Sequence, residues 1–171
     1  MGEVMGLVAS YFTEDHRRLE ALLNRAVTDA GEINNEVYSR FRSGLLKHIG
    51  MEEKILLPAV KRLQDGTPYN FADTLRLEHG AFAALLVPPV SSKIAAIFHV
   101  MMIHHNELEE GKDGLYAACE QLIGNSVQKF MTRVHSFPDV PVMPHVQNPN
   151  VLEVTRRAVA RAGYDFDKIE L

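Results

Sequence analysis

The chemistry in this sequence rests on histidine and glutamate at helical spacing. The stretch Lys47-His48-Ile49-Gly50-Met51-Glu52-Glu53-Lys54-Ile55-Leu56-Leu57-Pro58 holds a histidine and a carboxylate four residues apart. On an α-helix that spacing puts both side chains on one face, a turn apart. The same face carries Val37, Phe41 and Leu45 before the pair, and Ile55, Leu56, Ala59 and Leu63 after it. A carboxylate inside an apolar stripe is costly unless it is paired or bound to a metal. The pattern returns as His105 and Glu109, on a face shared with Ile94, Phe98 and Met101. His16 interrupts a stripe made by Val8, Phe12, Leu19 and Leu23, and His79 one made by Leu75, Phe82 and Leu86. Taken singly, a core histidine is ordinarily hydrogen-bonded to a neighbour. A lone pair at this spacing is ordinarily a surface contact of ~0.2–0.5 kcal/mol. Four apolar stripes, each broken by a histidine and two also by a glutamate, point instead to a metal held between helices.

Helices must bring these residues together. Apolar periodicity predicts a first helix over residues 7 to 30, with Asp29-Ala30-Gly31 as its stop. A second spans 33 to 64, with Pro58 expected to kink it or end it a turn early. A third covers 70 to 87, with Asn70 as its N-cap, closed by Pro88-Pro89. A fourth is capped by Ser91 or Ser92 and runs to the break at Gly111-Lys112-Asp113-Gly114. Helical pieces follow at 115 to 122 and 127 to 135. Pro138, Pro141, Pro144 and Pro149 make an extended connector, lying on the bundle or leaving it. A short helix over 151 to 162 ends at Gly163. The fold class expected is all-α, an up-down-up-down four-helix bundle over residues 1–136 with a C-terminal helical appendage over 137–171. In such a bundle, inward side chains of all four helices meet in the core.

Composition narrows the function classes. The chain has 171 residues, 46% of them hydrophobic, and a net charge of −4. That suits a domain with a real core and lacks the basic footprint of a nucleic-acid binder. No apolar run is long enough to span a bilayer. Residues 1–6 lack the basic region of a signal peptide, and Gly6 stands where a myristoylation motif needs Ser or Thr. One cysteine, Cys119, excludes an internal disulfide. The reading is a cytoplasmic protein without nucleic-acid or membrane partners; a homo-oligomer is compatible with it.

The donor set narrows the metal. Imidazole and carboxylate without thiolate suit iron, manganese or zinc. Four histidines and two glutamates are too many for one tetrahedral zinc. They suit two metals, with Glu52 and Glu109 as bridges and His16, His48, His79 and His105 as terminal ligands. Two non-haem irons are favoured, with zinc or manganese as substitutes, because spare coordination positions would admit dioxygen or another small oxidant.

The chain resembles the hemerythrin-like, or HHE cation-binding, family. The matching residues are Asp15-His16, His48 to Pro58, Glu78-His79-Gly80 and His105-Asn106-Glu107-Leu108-Glu109-Glu110, and the resemblance covers about residues 7 to 123. It implies a four-helix bundle around an oxo- or hydroxo-bridged di-iron centre. It also implies service in dioxygen binding, sensing, iron handling or protection against nitrosative and oxidative stress. The family's oxygen carriers have a second histidine one turn after the position of His79, where Ala83 stands here, and an aspartate five residues after that of His105, where Glu109 falls at four. Redox chemistry or sensing is therefore expected over stable oxygen carriage, with dioxygen, peroxide or nitric oxide as the ligand. Whether the output is one reaction or many turnovers stays open, as does a purely structural metal. Any unusual behaviour is expected on the side of His79 and His105.

The remaining candidates receive plainer readings. His104 adjoins His105 and points elsewhere on the helix, so His105 is the expected ligand. Glu53 and Glu110 are read as solvated. Tyr11, Tyr38 and Tyr116, and Met51, Met101 and Met102, are read as packing. Cys119 is read as a small core residue, and Arg156, Arg157 and Arg161 as a solvated face.

Overall fold

A computed structural model describes residues 6–170. Residues 1–5, on which the absence of a signal peptide is mainly read, and Leu171 lie outside them. Among the described residues the chain is all helical, with one isolated antiparallel bridge between Val27 and Ile33 and no strand. Eight α-helices follow in order: α1 Leu7–Ala26, α2 Asn35–Met51, α3 Leu57–Leu63, α4 Ala72–Leu85, α5 Ser92–Glu110, α6 Leu115–Ile123, α7 Val127–His135 and α8 Pro149–Arg161. None is long and apolar enough to cross a membrane.

The boundaries follow from local chemistry. α1 ends four residues before the expected stop, because Val27 leaves helical geometry and Gly31, at φ 80°, closes a turn onto Thr28. Its other end is finished from far away: the Glu120 carboxylate of α6 accepts from the Leu7 and Val8 amides at 3.1 and 2.7 Å. An anion there satisfies orphan donors and complements the helix dipole. Asn34 caps α2 by accepting from the Val37 amide. Asn70 does not cap α4; Phe71 holds that position without a side-chain bond. Ser91 caps α5 through Ile94.

The expected break at Pro58 takes another form. Between α2 and α3 the chain makes a π-helical turn, Glu52–Leu56, and Pro58 lies in the first turn of α3. Pro58 brings no N–H to the ladder, and the widened turn sits just before it. The extra residue lets Ile55, Leu56 and Leu57 all reach the interior. Such turns recur where a helix bends around a functional site.

Two apolar clusters flank a polar layer. One gathers Leu19, Leu23, Phe41, Leu45, Phe82, Leu85, Phe98 and Met101. The other gathers Val8, Phe12, Met51, Leu56, Leu75, Leu115 and Tyr116. The break after α5 is tight: a Cβ on Gly114 would come within 2.4 Å of the Glu109 carbonyl oxygen. That close approach returns the chain over the end of α5 and starts α6 beside the polar layer. The connector 137–148 lies on the helices, through Val146 to Val87 and Arg42 to the Met143 carbonyl. α8 packs on α4, where Thr155 donates to the Ala84 carbonyl at 3.1 Å, and Val159 and Phe166 join the first cluster.

Candidate metal centre

The polar layer contains His16 of α1, His48 of α2, Glu52 of the π turn, His79 of α4, and His105 and Glu109 of α5. All six are buried, the two glutamates completely. Every histidine turns Nε2 inward. His48 Nε2 lies 3.1 Å from Glu52 Oε1, and His79 Nε2 lies 3.2 Å from Glu52 Oε2. His16 and His105 each place Nε2 3.3 Å from Glu109 Oε2, and His79 Nε2 lies 3.8 Å from Glu109 Oε1. The donors form two groups, His16, His48, Glu52 and Glu109, then Glu52, His79, His105 and Glu109. Within each group the donor atoms lie within 4.8 Å of one another, and both groups use the same two carboxylates.

Each ring's outer nitrogen has its own carboxylate. His16 Nδ1 donates to Glu110 at 2.6 Å, His48 to Asp15 at 2.8 Å, His79 to Glu53 at 2.7 Å and His105 to Glu78 at 2.8 Å. This contact fixes each ring and leaves the inner nitrogen free to bind. Three of these carboxylates are held by arginines: Glu110 by Arg17, Asp15 by Arg18, and Glu53 by Arg76. Glu78 is buried and has no arginine; Tyr164, from the C-terminal tail, donates to it at 2.7 Å, and His104 also contacts it. Glu53 and Glu110 are therefore not the solvated residues expected, and His104, largely exposed, touches the centre only through Glu78. The signal was present in the sequence: an acidic residue adjoins His16, Glu52, His79 and Glu109. A helical neighbour points about 100° away, toward the next helix.

Tyr116 is the larger omission. Read as packing, it places its hydroxyl inside the polar layer. It donates to Glu52 Oε1 at 2.6 Å and Glu109 Oε2 at 2.8 Å, and lies 3.1 Å from His16 Nε2 and 3.5 Å from His48 Nε2. No periodicity could find it, because it follows the break at Gly111–Gly114.

The electrostatics are those of a site prepared for cations. Burial works against charge on His48, but Glu52 and Asp15 outweigh it and hold its pKa up at about 9. Burial and Glu109 oppose ionisation of Glu52, yet His48 and His79 bring it down to about 2. Glu109 is likewise held well below the usual range, against burial, by His105, His16 and His79. Burial, then Glu109 and Glu52, push the Tyr116 phenol well up. In the metal-free protein, protons on the imidazoles balance the carboxylates; a bound cation would replace them.

Three buried atoms of the second group, Glu52 Oε2, His79 Nε2 and Glu109 Oε1, make no well-aligned hydrogen bond, although the two oxygens approach the His79 nitrogen to 3.2 and 3.8 Å. Orphans of this kind are costly. Three nitrogen and oxygen donors converging without a well-aligned partner fit a cation, and the residues present fit a metal.

Residues 7–87 match the hemerythrin HHE cation binding domain. That segment takes in α1 to α4 and contains His16, His48, Glu52 and His79. The resemblance read from the motifs is thereby shown over that segment, and the family's description is of cation binding. The second arm, with His105 and Glu109, lies beyond the matched segment. Comparison with curated proteins and with solved structures yields no match.

Proposed function

We propose that the chain is a non-haem di-iron protein, with His16, His48, His79 and His105 as terminal ligands and Glu52 and Glu109 as bridges. The observation that carries this reading is the sharing of both glutamates by two four-donor groups. Two irons bound there would supply reversible redox change and ligand-binding positions. The chain's own residues hold and orient: four outer carboxylates fix the rings, and the two apolar clusters exclude water from above and below. In the metal-free protein the Tyr116 hydroxyl holds its proton between Glu52 and Glu109.

The up-down-up-down bundle belongs to the same proposal. It is supported by the order in which the helices meet the clusters. α1 passes from Phe12 through His16 to Leu19, and α4 from Leu75 through His79 to Phe82. α2 passes the opposite way, from Leu45 through His48 to Met51. Residues 1–136 would form this bundle and 137–171 an appendage clasped to it, reaching the centre through Tyr164 and Glu78.

The ligand proposed is dioxygen, peroxide or nitric oxide, and the role sensing, stress protection or iron handling in the cytoplasm. Protein made in iron-replete cells should hold about two irons per chain, as dinuclear bundles do. His48→Ala and Glu52→Ala should each bring that well down, and unchanged stoichiometry in both would sink the assignment. Stopped-flow mixing of the reduced protein with peroxide separates a sensor, which reacts once, from an enzyme, which reacts repeatedly. An azide-dependent absorption band would exclude a closed, purely structural site.

A further inference from the structure

We propose that Tyr116 is itself a metal ligand, binding iron as a phenolate at the His16–His48 pole. This rests on the di-iron reading above and deepens it, because it makes the two metal positions chemically different.

The first observation is placement. The phenol oxygen lies 2.6 to 3.5 Å from one donor atom of each member of the group His16, His48, Glu52 and Glu109. An ion held by those four donors has the Tyr116 oxygen as its neighbour. The oxygen must bind the ion or move away.

The second observation is that Tyr116 has nowhere to go. Its side chain is fully buried and stacks on Phe12, with ring centroids 5.1 Å apart. Leu115 before it and Cys119 after it are fully buried too. The helix that carries it is held at both ends. Gly114 passes against the Glu109 carbonyl with no room for a Cβ, and Glu120, one turn beyond Tyr116, grips the start of α1. A side chain fixed this way, aimed at a group of donors, is a preorganised ligand.

The third observation is contrast. The three orphaned atoms are His79 Nε2 and the two carboxylate oxygens that face it, whereas among the described residues the Tyr116 hydroxyl lies by the ring nitrogens of His16 and His48. Phenolate is a hard, anionic oxygen donor of the kind that suits ferric iron. On binding, the Tyr116 O–H bond gives way to an O–Fe bond and one proton leaves for solvent, with no change of oxidation state. The His16–His48 pole is then the fuller one, and the His79–His105 pole keeps the position for a small ligand.

The test is spectroscopic. Metal-free protein is loaded with ferrous iron without oxygen, oxidised with ferricyanide, and examined by visible absorption and resonance Raman. The expected result is a phenolate-to-iron(III) charge-transfer band. Excitation into it should enhance tyrosine ring modes, which shift when the protein is made with ring-deuterated tyrosine. Tyr116→Phe should lose band and modes from the iron that the other donors still hold; Tyr38→Phe, whose ring lies in the first apolar cluster, should keep them. Iron-loaded wild-type protein without the tyrosine modes would overturn the proposal even if Tyr116→Phe fails to fold, as would a Tyr116→Phe protein that retains them. Either result leaves the di-iron reading standing. Wild-type protein that takes up no iron would overturn both.

Discussion

The two halves of the centre are built from one motif and finished differently. In the first half an acidic residue precedes the histidine of α1, Asp15-His16, and α2 ends with His48, then Glu52-Glu53. In the second half α4 carries Glu78-His79, and α5 ends with His105, then Glu109-Glu110. The outer carboxylates cross over in the same sense in both: Asp15 serves His48 as Glu78 serves His105, and Glu53 serves His79 as Glu110 serves His16. The halves part company just after the shared glutamates. After Glu52 the chain widens into a π turn and stays helical; after Glu109 it breaks, folds back over Gly114 and sends Tyr116 inward. The same ligand motif thus acquires a tyrosine at one pole and orphaned donors at the other. Ligand spacing alone does not set the character of such a site; the segment that leaves it does.

Breaking the shared elements should cost most. Glu109→Ala removes a donor from both groups, and iron should fall from about two to well below one per chain, measured by metal analysis. The next test separates the poles. His48→Ala and His79→Ala should each leave about one iron, since each damages a single group. If either loses both irons, the two positions depend on one another and the comparison needs revision. Removing an outer carboxylate should act more gently: Asp15→Asn and Glu53→Gln should each weaken iron binding by about 10–100-fold in a chelator competition. The effect should fall on the first pole for Asp15 and on the second for Glu53.

The metal-free protein offers a pH test. The folded pKa of His48, about 9, lies above its unfolded value. Its contribution is therefore fully present below about pH 6.5 and lost as pH rises through about 9. Denaturant titrations of metal-free protein should show stability falling over that window, by on the order of 3 kcal/mol from this group. His48→Gln should flatten that fall. The smallest change expected is in Tyr164→Phe, which takes one hydrogen bond from Glu78; unfolding should ease by about 0.5–1.5 kcal/mol, with iron content unchanged.

Much of this was legible in the sequence because the ligands obey helical periodicity. His16, His48, Glu52, His79, His105 and Glu109 each interrupt an apolar stripe, and the structure gathers all six in one layer. The helical pieces 115–122 and 127–135, the break at Gly111–Gly114 and the Ser91 cap were equally readable. What failed was whatever depends on departure from a regular helix or on long-range contact. Pro58 signalled a disturbance but not that it would appear as a π turn beginning at Glu52. Glu53 and Glu110 lie off the apolar stripe, so face counting leaves them in solvent, and Asp15 and Glu78 enter only as neighbours of a motif histidine, although each of the four meets a ring on another helix. Tyr116 and Tyr164 are delivered by chain reversals, and their targets cannot be read from spacing.

The carboxylate of Glu120 at the start of α1 has a consequence for the order of assembly. A helix near the beginning of the chain receives its N-terminal counter-charge from a residue 112 positions later than Val8. Contacts so distant in sequence form late, since loop closure must precede them. All six proposed metal donors are therefore made before the residue that completes α1 and before the tyrosine beside it. Tyr116 and Glu120 both follow the last of these donors in the chain, so what finishes the His16–His48 pole and what finishes α1 arrive on the same helix. The first helix of this protein is completed only after every one of the donors has been made.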